Sequence, residues 1–96
     1  MRKVFVLPSF ERSLKKLSFR EKEDLSSGLE EFNVFLETGK ASFGFRLKKI
    51  GDEKYEFRVN IKLRVILKAE GNNFYLVLVG NHDDVKRYFE ELIHCR

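Results

Sequence analysis

Two arginines and one histidine in the second half of the chain are the residues best suited to act on a phosphate group. Arg58 and Arg64 lie in a long run of alternating apolar and polar residues, and His82 follows an apolar stretch that ends at Gly80. A guanidinium can bind two phosphate oxygens at once, and imidazole exchanges protons near neutral pH. If the fold brings the three side chains together, they could perform acid–base chemistry on a phosphodiester.

The alternating run must fold back on itself, because it is far longer than a typical strand. An odd-numbered turn at residues 60–62 pairs Phe57 with Val65 and keeps the apolar side chains on one face. The same register sets Arg58 opposite Arg64, on the other face of the sheet and away from the core. Like charges that face each other across a strand pair are destabilising by a few tenths of a kcal/mol to about 1 kcal/mol, so this pair needs an explanation.

A second hairpin is expected at the loop 71–72, which again keeps apolar residues together. The expected partners are Leu67 with Leu76, Val65 with Leu78, and Arg64 with Val79. His82 leaves the end of this strand and is expected at the rim of a basic patch. The patch consists of Arg58, Arg64, Lys62 and Lys68.

Each candidate residue also has a simpler interpretation. Glu56 and Glu70 lie on the same predicted face and could neutralise the arginines, which would leave an ordinary solvated surface. A histidine in the first turn of a helix is often only an exposed polar residue, and an aromatic such as Tyr88 on an amphipathic helix usually packs at the edge of a core. The sharper hypothesis is that the two guanidinium groups await a phosphate.

The rest of the chain predicts helices around this sheet. A strand at residues 3–7 precedes two helices, which we expect to form a hairpin, and a closing helix follows Asn81, a suitable N-cap. The predicted buried stripes are Phe10, Leu14 and Leu17; Leu25, Leu29, Phe32 and Leu36, before a helix end at Gly39 and Lys40; and Val85, Phe89, Leu92 and Ile93. With residues 45–50 as the first antiparallel strand, the fold class is α+β: an N-terminal strand, a two-helix hairpin packed on a three- or four-stranded antiparallel sheet, and a C-terminal helix.

Composition limits the kind of protein. The 96 residues carry a net charge of +4 and are 43% hydrophobic, which predicts a single folded domain over residues 1–96 that could contact a polyanion. No apolar run is long enough to cross a bilayer, and residues 1–10 are too charged for a signal peptide, so we expect a cytoplasmic protein without a membrane partner.

The lone Cys95 excludes a cysteine-based zinc cluster, and Asp83 and Asp84 beside His82 suit a helix start better than a metal site. No cofactor and no metal are expected.

The order of these elements and several stretches resemble the RelE/ParE superfamily of bacterial and archaeal toxin–antitoxin toxins, and the resemblance covers nearly the whole chain. It rests on "SFERSLKKL" near the start, on "GFRLKKI" entering the sheet, and on "KYEFRVNIKLRVILKAEGNNFYLVLVGNHDDVKRYF" at 54–89. The resemblance implies a RelE-like fold. "GNHDDV" is similar to the YafQ branch, in which a G-x-H-x-D stretch carries a catalytic histidine at the position of His82.

The resemblance also implies roles for individual residues. The implied catalytic residues are His82, Arg64, Arg58 and Tyr88, and the implied RNA contacts are Lys48, Lys49, Lys62 and Lys68. Arg64 would be the arginine that holds the phosphate. The sequence departs from the family pattern at three positions: Arg58 and Lys62 stand where YafQ has a His and an Asp, and Glu56 replaces one RelE lysine.

RelE-type proteins are endoribonucleases that cut mRNA on the ribosome, so the resemblance implies a toxin that inhibits translation without a metal ion. Its partners would be mRNA, the ribosome and a cognate acidic antitoxin protein. Two alternatives stay open. The ParE branch poisons DNA gyrase on the same fold without this catalytic set, and a degenerate member would bind only its antitoxin.

Overall fold

Five strands form one mixed sheet in the computed structural model, which describes residues 3–39 and 47–94, with side chains as far as residue 91. The strands are β1 (Lys3–Val6), β2 (Leu47–Gly51), β3 (Lys54–Arg58), β4 (Arg64–Glu70) and β5 (Asn73–Gly80), and the helices are α1 (Pro8–Lys15), α2 (Phe19–Thr38) and α3 (His82–His94). The strand order is β1-β5-β4-β3-β2. The predicted α+β class is confirmed.

The strand count differs from the prediction of a three- or four-stranded antiparallel sheet. Strands β2 to β5 are antiparallel, but β1 joins the same sheet in parallel with β5 and makes it five-stranded. A parallel partner needs a crossover connection rather than a hairpin, and a short exposed strand at the start of a chain does not show where it will pair. Lys40, Phe45, Arg46 and Cys95, which the predictions also included, lie outside the described residues.

Helix α1 takes the place of a strand beside the second half of β5. Because β1 ends at Val6, the backbone of Val77 and Val79 would otherwise lack partners along this edge. The hydroxyl of Ser9 donates to the Val77 carbonyl at 2.6 Å, and the Val79 amide donates to the hydroxyl of Ser13 at 3.1 Å. Two serines one helical turn apart therefore satisfy the open edge of the sheet.

One face of the sheet forms the main core with α1 and α2. Its fully buried members are Phe10, Leu25, Phe32, Phe57, Val65, Leu67, Phe74, Leu76 and Val79. Leu14, Leu17, Leu29 and Leu36 pack against them as partly buried neighbours. The predicted stripes of both helices are thus confirmed, and burial of each large apolar side chain contributes roughly 1.5–3 kcal/mol.

Helix α3 covers the middle of the opposite face. Ile66, Val77 and Val85 form a second buried cluster, and Tyr88 and Phe89 pack against it. The face that carries the arginines was expected to lie away from any core. That expectation is wrong, because α3 packs on the middle of this face and forms a second core there. Val85 and Phe89 confirm the predicted stripe of the closing helix, whereas the side chains of Leu92 and Ile93 lie outside the described residues.

The first hairpin has the predicted register, with Phe57 opposite Val65 and Arg58 opposite Arg64. The second hairpin begins as predicted, with Leu67 opposite Leu76, and then shifts by one residue. The predicted pairs of Val65 with Leu78 and of Arg64 with Val79 are therefore wrong. The observed pairs are Val65 with Val79 and Arg64 with Gly80. The cause is a bulge at Val77, which has no partner on β4 and whose carbonyl is bound by Ser9.

Candidate functional site

The bulge brings Arg64 one residue closer to the start of α3 than the regular register would. Nη1 of Arg64 lies 2.8 Å from Nδ1 of His82. A guanidinium can only donate, so Nδ1 is the acceptor in this contact. His82, which was expected at the rim of the basic patch, thus contacts Arg64 directly.

The backbone around His82 is held by a reciprocal cap. The Asp84 amide donates to Oδ1 of Asn81 at 2.8 Å, and the Asn81 amide donates to Oδ2 of Asp84 at 3.0 Å. These two bonds satisfy free amides at the start of the helix. Asn81 is therefore the N-cap that the sequence predicted, and His82 occupies the first position of α3, exposed to solvent.

Gly80 leaves the space in which this cap can form. A Cβ at Gly80 would lie 2.7 Å from Cβ of Asp84 and 2.8 Å from its Oδ2, which is closer than nonbonded atoms approach. Any larger residue would displace the carboxylate from the Asn81 amide. The junction of β5 and α3 thus depends on a glycine, an asparagine and an aspartate around His82.

Arg58 completes the group. It lies directly across from Arg64, at a spacing that sets cross-strand α carbons about 4.5–5.5 Å apart. Arg58 is exposed, and in the described part of the chain neither arginine forms an ion pair. Nε of Arg64 is buried and has no hydrogen-bond partner among the described residues.

The proposed neutralisation of the arginines by Glu56 and Glu70 is not what the structure shows. Glu70 binds Nζ of Lys68 at 3.1 Å, at the far end of β4. Glu56 forms no ion pair among residues 3–39 and 47–94. Two adjacent cations that are not paired with a carboxylate attract an anion.

Tyr88 and Lys68 lie towards the other end of the strands. Nζ of Lys54, which is opposite Lys68, lies 5.7 Å from the centre of the Tyr88 ring. The Arg58–Arg64 pair is four residues away along the strands, or about 13 Å. Burial raises the pKa of the Tyr88 phenol, and nearby Lys68 partly offsets this. The hydrogen bond with Glu70 raises the pKa of Lys68.

The other predicted RNA contacts separate into three locations. Lys48 pairs with Glu56 and shares the face of the arginines, two strands from Arg64. Lys49 pairs with Tyr55 and therefore lies on the opposite face, where α1 and α2 pack. Lys62, in the turn between the two arginines, lines a cleft between α1 and α3.

Two features of the site were missed at the level of sequence. The four consecutive apolar residues 76–79 break the alternation of β5, which is the available signal for a bulge. The N-x-x-D spacing of Asn81 and Asp84 is the signal for a reciprocal cap. Neither signal alone reveals that the bulge and the cap together position His82 beside Arg64.

Residues 3–39 and 47–94 contain no group of three or more His, Cys, Asp or Glu that could hold a metal ion. Within the same ranges, none of the helices has both the length and the apolar character needed to cross a bilayer.

No protein-family model and no curated protein matches the sequence at a significant level. Solved structures do match the fold. A copper-bound mutant toxin from Helicobacter pylori superposes with a TM-score of 0.70 at 18% identity, over 88% of this chain and 98% of that one. YafQ from E. coli gives a TM-score of 0.67 at 12% identity over the same shares of the two chains.

RelE, in a RelB–RelE antitoxin–toxin complex from Methanococcus jannaschii, also matches. Its TM-score is 0.67 at 14% identity, over 88% of this chain and 98% of that one. At sequence identities this low, a structural match establishes the fold but not the activity. The chain therefore has the fold of the RelE and YafQ toxins.

Proposed function

We propose that the protein is a toxin of a type II toxin–antitoxin system and acts as an endoribonuclease on mRNA at the ribosome, which inhibits translation. The observation that carries the proposal is the meeting of Arg58, Arg64 and His82 at one end of the sheet, with Arg64 in contact with His82. The match to solved RelE and YafQ toxins supports the same function.

The proposed reaction needs only the RNA and these side chains. The ribose 2′-oxygen attacks the adjacent phosphorus, the bond to the 5′-oxygen breaks, and a 2′,3′-cyclic phosphate remains. A base takes the proton of the 2′-hydroxyl, and the leaving oxygen gains a proton. Because the nucleophile belongs to the RNA, the reaction requires no metal ion to generate it.

Arg58 and Arg64 stabilise the charge that develops on the phosphate, an effect worth on the order of 3 kcal/mol per donor. When the phosphate takes the guanidinium of Arg64, Nδ1 of His82 is released. The ring then exchanges protons at that nitrogen, as base for the 2′-hydroxyl or as acid for the 5′-oxygen, with a contribution of roughly 10² to 10⁴-fold.

The partners in this proposal are mRNA, the ribosome and an acidic antitoxin, and the compartment is the cytoplasm. Two of the solved structures with this fold are toxin–antitoxin complexes, RelB–RelE and DinJ–YafQ. A net charge of +4 suits an acidic partner, which would cover the arginine surface.

The test is cleavage of a message on translating ribosomes by the purified protein, compared with His82→Ala and Arg64→Ala. Both variants are expected to lose at least about 10²-fold in cleavage rate, and the wild-type products should end in a 2′,3′-cyclic phosphate. Lys22→Ala, an exposed cation on α2, is the control and should cleave like the wild type. Unchanged cleavage by both site variants would refute the assignment.

A further inference from the structure

A cleft of about 550 Å³ opens between α1 and α3, beside the candidate site. Its floor is the end of β5, from Leu78 to Gly80, and one end is closed by the turn at residues 62–63. Polar and apolar side chains both line it, including Leu17 and Tyr88. Such a mixed surface suits a ligand that has both charged and flat apolar parts.

Cations line the cleft from three separate elements. They are Arg12 of α1 and Lys16 at its C-cap, Lys62 of the turn, and Arg87 of α3. Arg12, Lys16 and Lys62 form no ion pair within residues 3–39 and 47–94. Arg12 and Lys16 are one helical turn apart, so their side chains project from the same side of α1.

Three carboxylates also line the cleft. Glu21 accepts the Ser18 amide at 2.8 Å in the cap of α2. Asp84 accepts the Asn81 amide and lies 3.9 Å from Arg87. Glu91 is the third carboxylate of the lining. The lining therefore holds four cations and three carboxylates, of which only Arg87 and Asp84 pair with each other, and its net charge is +1.

The cleft and the candidate site use neighbouring residues of the chain at two places. Gly80, Asn81 and Asp84 line the cleft and surround His82 in sequence. Lys62 lies in the turn that connects Arg58 to Arg64. Arg58, Arg64 and His82 do not themselves line the cleft, and Asp84, Arg87 and Glu91 lie on the side of α3 opposite His82. A polyanionic chain held at the two arginines would therefore reach the cleft by passing around the start of α3.

We propose that this cleft binds the stretch of single-stranded RNA next to the cleaved phosphate, with Arg12, Lys16 and Lys62 on its backbone. The inference rests on the proposed function, because it takes the cleaved phosphate to lie at Arg58, Arg64 and His82. Single-stranded nucleic acid is commonly held by a cationic groove in which bases contact aromatic and apolar side chains. The cleft would thereby hold the RNA in register with the cleavage site.

The test compares Arg12→Ala/Lys16→Ala with Lys15→Ala/Lys22→Ala. The control pair removes the same charge from exposed positions of α1 and α2 outside the cleft. Binding to fluorescein-labelled single-stranded RNA of about 12 nucleotides and of about 3 nucleotides is measured by anisotropy. Circular dichroism confirms that each variant is folded.

The cleft variant is expected to bind the longer RNA about tenfold more weakly, and the slope of log affinity against log salt should fall by about 1.4, since each lost contact with a single strand contributes about 0.7. Its affinity for the short RNA, and both affinities of the control pair, should not change. Equal losses on both RNAs, or equal losses in the control pair, would overturn the inference.

Two further results separate this inference from the proposed function. If the wild type cleaves messages and the cleft variant binds and cleaves like it, the cleft inference fails while the proposed function stands. If the cleft variant loses affinity only for the longer RNA but no form of the protein cleaves, the cleft is an RNA site and the proposed function fails. If the variant keeps its affinity for RNA but no longer binds a co-expressed acidic protein, the cleft is the binding site of a protein partner and the inference is overturned.

Discussion

At the scale of single residues, the contact between Arg64 and His82 joins two groups that the proposed reaction needs separately. Arg64 must be free to hold the phosphate, and Nδ1 of His82 must be free to exchange a proton. In the structure Nη1 of Arg64 and Nδ1 of His82 are hydrogen-bonded to each other, at 2.8 Å. Arrival of the anion would release both at once, so that the proton-transfer group becomes available only when substrate is bound.

Gly80 is the residue on which this arrangement depends most. Gly80→Ala places a methyl group 2.7 Å from Asp84 Cβ, and crowding of this kind costs about 1–3 kcal/mol. We expect urea unfolding to show that loss of stability, and cleavage to fall because the cap that positions His82 is displaced.

The control for this prediction is Gly51→Ala, at a glycine whose added Cβ would meet nothing within 4 Å. Gly51→Ala should retain stability and cleavage. If Gly80→Ala is as stable and as active as Gly51→Ala, the proposed role of the glycine is wrong.

Tyr88 predicts a pH dependence of stability. Burial raises the pKa of its phenol above the ordinary value of 10.0, so above about pH 10 the folded protein holds a proton that the unfolded chain has released. Stability therefore falls as pH rises through that range. Tyr88→Phe removes this contribution.

The measurement is the free energy of unfolding in urea at about pH 9 and about pH 11, on either side of the ordinary tyrosine pKa. The wild type should lose more stability over this interval than Tyr88→Phe. Equal losses in the two proteins would contradict the inferred burial of the phenol.

At the scale of elements, the caps of α2 and α3 allow stability and function to be separated. Ser18 caps α2 in a reciprocal box with Glu21, as Asn81 caps α3 with Asp84. Ser18→Ala and Asn81→Ala should each cost about 1 kcal/mol of stability. Only Asn81→Ala should also lower cleavage, because only the α3 cap holds His82. Equal effects of the two variants on cleavage, after correction for the folded fraction, would show that the α3 cap has no special role.

Helix α1 gives a second prediction at this scale. Ser13→Ala leaves the buried Val79 amide without its acceptor, which costs about 1–3 kcal/mol. Ser26→Ala, at an exposed position of α2, should change stability by less than about 0.5 kcal/mol. Thermal unfolding of both variants tests this, and equal stabilities would mean that α1 does not complete the edge of β5.

At the scale of the whole molecule, local patterns predicted the main core but not how the pieces meet. The alternation of residues 55–59 and 63–69 was sufficient to place Arg58 opposite Arg64, because a one-residue slip would turn every apolar side chain to solvent. The helical stripes predicted burial of Phe10, Leu25 and Phe32 for the same reason.

The remaining features depend on contacts between distant parts of the chain. The bulge at Val77 is held by Ser9, which is 68 residues away in sequence, and the parallel pairing of β1 and the placement of α3 are also long-range. For this reason the pairing of Arg58 with Arg64 was predicted, while the register at Gly80 and the distance of Tyr88 from that pair were not.

The central claim is tested most directly by mapping new message ends after induced expression of the wild type and of His82→Ala in cells without an antitoxin. Growth arrest with new ends inside messages, both absent in His82→Ala, is the expected result. Growth arrest with intact messages would contradict the ribonuclease and favour a different target such as gyrase. Unimpaired growth with intact messages would contradict toxicity itself and leave a protein that keeps only the fold.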